Sequence, residues 1–182
     1  TAMSLLGKND SIYFGRTMDF SYELDPEVYI IPREYNWNNT INNYAISNKY
    51  KFIGTGQNIG KLTFADGTNE MGLGVAALYF PKYAHFNDAS SIDYNKVPIA
   101  AIDLVGFLLG NCFDIKDVIQ KIKNIEIVGI KDEITNSIAP LHWIVSDKYG
   151  DCITIEKTLN GLNIYNNEIG VLSNSPGFCW QI

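Results

Sequence analysis

Cysteine, histidine, basic charge and long apolar runs are all scarce in this sequence, and each shortage excludes something. The three cysteines, Cys112, Cys152 and Cys179, are odd in number and show no CxxC spacing. Neither a disulfide framework nor a zinc site is expected, and a reducing compartment fits best. The two histidines, His85 and His142, stand apart with no second ligand at metal spacing, so no metal or other cofactor is expected. Fourteen Lys and Arg against 20 Asp and Glu leave a net charge of −6. No basic stripe exists to neutralise phosphates, which argues against nucleic acid as a partner. The longest apolar stretch, Val97 to Leu109, is too short to span a bilayer and carries Asp103 and Gly106. The first residues also lack the basic and apolar regions of a signal peptide, so no membrane partner is expected. There is no initiator Met, and residues ahead of Thr1 are expected to have been removed.

What is present is core material: 46% of the 182 residues are hydrophobic and 13% aromatic. That suffices for one domain or part of a larger one. The stretch that stands out is Gly15-Arg-Thr-Met-Asp-Phe20, which closes a strand-like run coupled through Gly7-Lys-Asn-Asp10 to an apolar segment beginning at Thr1. Charges are rarely taken out of water unless paired or at work. A chain amino group, with a reference pKa of about 7.7–8, is one of few bases available near neutral pH. Arg16 and Asp19 beside a chain terminus therefore read either as an active site or as a structural ion pair. Strict strand alternation puts the two on opposite faces, so serving one site requires a bend near Thr17-Met18.

The rest of the chain reads as strands, two helices, then strands. Strands are expected at 1–6, 11–20, 27–33, 50–56 and 72–80, the last apolar throughout as if buried on both faces. Residues 34–49 read as a surface loop. Helices are expected at 98–111, apolar nearly all round, and at 115–124, where Ile115, Val118, Ile119 and Ile122 share a face and Asp114 caps the N-terminus. Strands return at 141–146, 152–158, 162–165 and 170–174. Antiparallel hairpins throughout, with helices packed on a sheet, make an α+β fold.

Several local motifs carry less than they promise. Gly54-Thr-Gly-Gln-Asn-Ile-Gly60-Lys61 has one residue too many for a phosphate loop and Leu62 where Ser or Thr should follow, so it reads as a turn. His142 reads as a hydrogen-bonded core residue and the cysteines as buried small hydrophobes. Asn174-Ser-Pro176 reads alone as a strand-ending turn. Thr1 is a candidate nucleophile activated by its own amine, or simply the first residue left.

Seven motifs in order resemble the choloylglycine hydrolase family, the bile salt hydrolases and penicillin V acylases. They are Thr-Ala-Met-Ser at the start, Tyr-Phe-Gly-Arg-Thr-Met-Asp-Phe at 13–20, Ile-Ile-Pro-Arg at 30–33 and Thr-Phe-Ala-Asp-Gly-Thr-Asn-Glu-Met-Gly-Leu-Gly at 63–74. Ala-Leu-Tyr-Phe-Pro at 77–81, Leu-His-Trp-Ile-Val-Ser-Asp at 141–147 and Gly-Val-Leu-Ser-Asn-Ser-Pro-Gly-Phe-Cys-Trp at 170–180 complete the set. The resemblance implies an N-terminal nucleophile hydrolase with a four-layer αββα sandwich. Residues 1–182 would then be the N-terminal part of a single domain, about the first half to three-fifths, without its C-terminal part. It further implies a homotetramer whose nucleophilic Cys immediately precedes Thr1, which displaces Thr1 from that role.

Carried over by position, Arg16 matches the residue that favours thiolate and Asp19 the carboxylate that holds the terminal amine. Asn174 matches one oxyanion donor, and the Tyr79 backbone N–H the other. Met18, Ala65, Tyr79 and Leu141 match substrate-binding positions. The implied activity is hydrolysis of a linear, non-peptide amide in a small-molecule substrate. Tyr at position 79 is similar to the acylases and points to penicillin V; a conjugated bile salt, or a non-catalytic ligand-binding relative, is the alternative.

Overall fold

A computed structural model describes residues 1–182 except 20–24, 43, 59, 89–91, 94 and 132–136. Phe20 of the second motif and Ile59 of the glycine-rich turn thus lie outside the described residues. The chain opens with β1 (Ala2–Leu6) and β2 (Ile12–Arg16), an antiparallel hairpin. Its turn places Asn9 and Asp10 at positive φ, which short polar side chains tolerate. Next come β3 (Glu27–Ile31), β4 (Asn36–Asn38), β5 (Ala45–Ser47), β6 (Phe52–Asn58), β7 (Leu62–Asn69), β8 (Gly74–Tyr79), β9 (Asn87–Asp88) and β10 (Val97–Ala100). The helices α1 (Leu104–Asn111) and α2 (Ile115–Ile122) lead to β11 (Ile125–Gly129), β12 (Leu141–Ser146), β13 (Cys152–Thr158), β14 (Gly161–Asn166) and β15 (Val171–Leu172).

Seven strands form the main sheet, in the order β14-β13-β12-β8-β7-β6-β3. Alternation along its central strands explains their continuous apolarity. Val75, Ala77, Trp143, Val145, Ile153 and Ile155 join the core beneath the helices. Their neighbours Ala76, Leu78, Ile144 and Cys152 face the other way, into a second core with Ala2, Leu172 and Phe178. That second core is roofed by the small sheet β15-β1-β2. Helices, large sheet and small sheet are therefore stacked as three layers of the expected αββα order. On the outer face of the small sheet, Leu5 and Tyr13 pair across the strands and are 49% and 62% exposed.

The helical layer is built as its pattern demands. In α1 the side chains of Leu104, Val105, Phe107, Leu108 and Leu109 are all buried. In α2 the buried residues are Ile115, Val118 and Ile122, and the Asp114 side chain accepts the Asp117 N–H at 2.8 Å as N-cap.

Four expectations need correction. The helix expected from 98 starts only at Leu104, because Pro98 biases Val97 towards extended backbone and Val97–Ala100 pairs with β11 instead. That pairing is parallel, so hairpins are not universal; α1 and α2 provide the crossover that parallel strands need. Residues 34–49 hold a short hairpin, β4 with β5, whose Trp37 and Ile46 pack on the core. The apolar residues of this polar stretch fall at irregular intervals, so no strand period shows. The glycine-rich stretch is strand rather than turn over Gly54 to Asn58, which belong to β6, and its Lys61 pairs with Asp103 at 2.6 Å. No described helix is long and apolar enough to cross a membrane.

Candidate active site

Arg16 ends β2, the strand whose inward face lies against the large sheet. Its side chain is 13% exposed, and Nη1 donates to the carbonyls of Ala65 (3.2 Å) and Ala77 (2.9 Å). Those two carbonyls are free for a structural reason. The β6–β7 register passes from Thr55↔Asp66 to Gly56↔Phe64, which leaves Ala65 as the extra residue of a bulge. The β7–β8 ladder stops at Asp66↔Ala76. Arg16 fills the gap where β7 and β8 part.

The carboxylate nearest Arg16 is Asp66, at 3.6 Å, and not Asp19. Asp19 is exposed beyond the end of β2, so the buried Arg16–Asp19 ion pair suggested by their spacing does not form. A bulge partner fifty residues away leaves no local sequence signal. Burial pulls the Arg16 pKa down from the usual guanidinium value, and Asp66 offsets part of that. The Arg16 Nε–H is buried with no partner among the described residues. An unpaired buried donor of this kind is costly unless something accepts from it.

The chain start lies beside Arg16. The Thr1 carbonyl accepts the Thr17 N–H at 2.9 Å, and the Thr1 amine approaches the Thr17 hydroxyl at 3.5 Å. The flanking ladders are Ala2↔Arg16 and Ala2↔Leu172. Continued by one residue, Thr1 lies opposite Thr17 and Ser173. Continued by two, the position ahead of Thr1 falls between Met18 and Asn174. Asn174 is exposed, two residues past β15.

Tyr79 closes β8 opposite Leu141 and is 46% exposed. The next residue, Phe80, donates its N–H to Pro140 on the β12 side at 2.7 Å. Antiparallel alternation turns the Tyr79 N–H to the β7 side, where the ladder has already ended. The Ala77 carbonyl held by Arg16 points the same way, two residues earlier. Met18, Ala65 and Leu141 are each half-buried around these groups. The structure brings Arg16 to the start of β1 and to the Ala65 and Ala77 carbonyls, sets Tyr79 opposite Leu141, and leaves Asn174 just past β15, the other neighbour of β1.

A cavity of about 670 Å³ lies elsewhere, between the helices and the sheet edge, lined by Trp37, Phe52, Lys61, Phe64 and Asp103 among others. None of the seven candidate site residues, Arg16, Met18, Asp19, Ala65, Tyr79, Leu141 and Asn174, is among those that line it. Convergent donors at a chain end are better evidence of amide chemistry than volume is.

The remaining titratable groups are structural. His142 is buried, stacked on Phe80 and 3.1 Å from the Glu156 carboxylate, a hydrogen-bonded core residue as expected. No group of three or more His, Cys, Asp or Glu gathers among the described residues. Cys112 and Cys152 are buried, and burial pushes both thiols up to about 12. Cys179 is exposed, on the 3-10 turn Phe178–Trp180, so it is not the buried hydrophobe expected. In the native protein at pH 7.5, iodoacetamide followed by peptide mapping should label Cys179 and spare Cys112 and Cys152. Equal labelling of all three would contradict the burial described.

The family profile for linear amide C–N hydrolases of the choloylglycine hydrolase family matches residues 1–182. The chain belongs to this family. It is 35% identical to a bile salt hydrolase/transferase of Clostridium perfringens over 100% of its own length and 55% of that protein's. It is 32% identical to a conjugated bile acid hydrolase of Lactobacillus gasseri, covering 100% and 57%. A crystal structure of a conjugated bile acid hydrolase variant from C. perfringens superposes with a TM-score of 0.89 at 35% identity, over 98% of this chain and 54% of the other. Penicillin V acylase from Agrobacterium tumefaciens shares the fold, with a TM-score of 0.81 at 20% identity, over 99% and 54%. The chain thus spans about half the length of the bile salt hydrolase relatives it matches.

Proposed function

We propose that the full-length protein hydrolyses the amide bond of conjugated bile salts through a cysteine immediately ahead of Thr1. The observation that carries this is the start of β1, held between β2 and β15 by Ala2↔Arg16 and Ala2↔Leu172, with the buried Arg16 guanidinium beside it. In this reading the same two registers, carried past Thr1, would set the cysteine between Met18 and Asn174, and the Tyr79 N–H would face it. In this reading the thiolate is stabilised by Arg16 and attacks the amide carbonyl, forming the C–S bond. The resulting oxyanion accepts from the Asn174 side-chain amide and the Tyr79 N–H, each worth about 2.7–4 kcal/mol in comparable sites. The terminal amine, held by Asp19, takes the thiol proton and passes it to the departing amine. Water then cleaves the acyl-enzyme and regenerates the thiol. Met18, Ala65 and Leu141 face the acyl group. The same proposal includes residues 1–182 as the N-terminal part of one domain, in a cytoplasmic homotetramer.

Bile salt is preferred as substrate because relatives at 32–35% identity over the whole chain carry that activity in their names. Penicillin V is a second reading, favoured by one residue: the half-exposed ring of Tyr79 suits stacking on a phenoxyacetyl group. Steady-state kinetics of the full-length protein on glycodeoxycholate and penicillin V separates the two. A kcat/KM at least about tenfold higher for the bile salt is expected. A reversed ratio would transfer the assignment to penicillin V. Turnover of neither, with intact mass showing a Cys before Thr1, would refute the hydrolase mechanism.

A further inference from the structure

The Asn174 side chain makes no hydrogen bond with any described residue, and its backbone lies past the end of β15, outside regular structure. A donor useful in catalysis has to be fixed before the substrate arrives, because ordering it during the reaction subtracts from the stabilisation it offers. Something other than the Asn174 amide's own contacts has to hold it.

The hydrogen bonds around it show what does. β15 is the edge strand of the small sheet, with β1 on one side only. On its free edge, the Gln181 Oε1 accepts the Ser173 N–H at 2.9 Å and the Ser173 hydroxyl at 3.0 Å. The Gln181 Nε2 donates to the Ser173 carbonyl at 3.4 Å and to the Pro176 carbonyl at 2.5 Å. A primary amide has the same donor and acceptor as a peptide group. It therefore pairs with both the N–H and the C=O of Ser173, as an adjacent strand would. The same amide reaches over Asn174 and Ser175 to grip Pro176. The far end of the loop is held independently: Glu156 accepts the N–H of Phe178 at 2.9 Å, and Phe178 is buried in the second core.

We infer that Gln181 is a positioning residue: its side-chain amide stands in for a missing strand beside Ser173 and so fixes the direction of the Asn174 donor. This rests on the oxyanion role proposed for Asn174. Gln181 touches neither substrate nor nucleophile, and it acts on the rate only through the loop it closes.

The test compares Gln181→Leu, Gln181→Glu, Asn174→Ala and the double variant Q181L/N174A in the full-length enzyme, with glycodeoxycholate as substrate. Gln181→Leu removes all four bonds and should lower kcat by about 10- to 100-fold with KM within about twofold, the scale of a misplaced catalytic group. Gln181→Glu keeps the two acceptor bonds, loses the two donor bonds and should fall between. If Gln181→Leu does not fold, Gln181→Glu carries the test alone: its kcat should fall with KM held. The decisive outcome is non-additivity. Once Asn174 is alanine, the Gln181 substitution should cost kcat less than about twofold more, whereas a merely structural role would multiply the two losses. Unchanged kcat in the Gln181 variants, with Asn174→Ala impaired, overturns the positioning role and leaves the oxyanion role standing. Unchanged kcat in Asn174→Ala overturns the oxyanion role itself, and with it this inference.

Discussion

Replacing Arg16 with methionine in the full-length protein should lower kcat by about 10²–10³-fold, the scale seen when one preorganised electrostatic partner is removed from a site. The guanidinium is buried where β2 meets the β7–β8 gap, and methionine keeps its apolar stem while removing the charge. Without that charge the proposed thiol loses its anion stabilisation, and its pKa should rise towards the ordinary value of about 8.5. The sign is then fixed: at neutral pH less thiolate is present, so alkylation slows and the pH–rate profile moves to higher pH. Lysine should rescue little, because Nη1 alone meets the two carbonyls and a single ammonium taking that place lacks the further Nε and Nη2 donors that the guanidinium has to offer. Following the pH dependence of alkylation of the terminal cysteine in both proteins would decide this. Activity within twofold of the parent, with an unmoved profile, would remove Arg16 from the mechanism.

The second large effect is on stability. Asn69 is buried, and its side chain satisfies four backbone groups at once. Nδ2 donates to the carbonyls of Leu109 (2.9 Å) and Cys112 (2.7 Å), while Oδ1 accepts the N–H groups of Met71 and Leu73 at 3.0 Å each. It therefore ties the C-terminal end of α1 to the turn between β7 and β8. Asn69→Leu keeps the volume roughly constant and leaves those four groups unpaired out of water. The expected loss is about 4 kcal/mol, since each orphaned buried group costs about 1–3 kcal/mol and local relaxation recovers part. Asn69→Asp should be damaged too, because both carbonyls would then face acceptors. Denaturant unfolding of the full-length variants measures this, and a loss under about 1 kcal/mol would show that the turn does not depend on Asn69.

Both effects turn on residues whose partners are remote, and that remoteness limited what could be read in advance. Local chemistry was legible. Asp114 capping α2, the i, i+3, i+7 face of that helix and the doubly buried β8 follow from neighbours within one or two turns, where periodicity is a direct image of burial. The family could be recognised from motif order, and the profile over residues 1–182 agrees. The partner of Arg16 could not, because Asp66 is brought there by a bulge in another strand, while Asp19, three residues along, offered the more obvious reading. Gln181 was equally invisible: an isolated Gln near a Trp carries no pattern, and only the end of β15 gives its amide something to replace.

Strand periodicity, helix caps and the ordered motifs are short-range facts, held in the order of residues, and they suffice for an α+β layered protein of this family. Where Arg16 finds its carboxylate, which backbone N–H groups are left over, and what braces Asn174 are decided by register between strands far apart in the chain. A shift of one residue in any of those ladders turns every side chain on the strand to the opposite face. The cores on both faces of the large sheet, packed from Trp143 and Val145 on one side and Ile144 on the other, penalise that shift. The site is thus an outcome of packing, which only the folded chain sets.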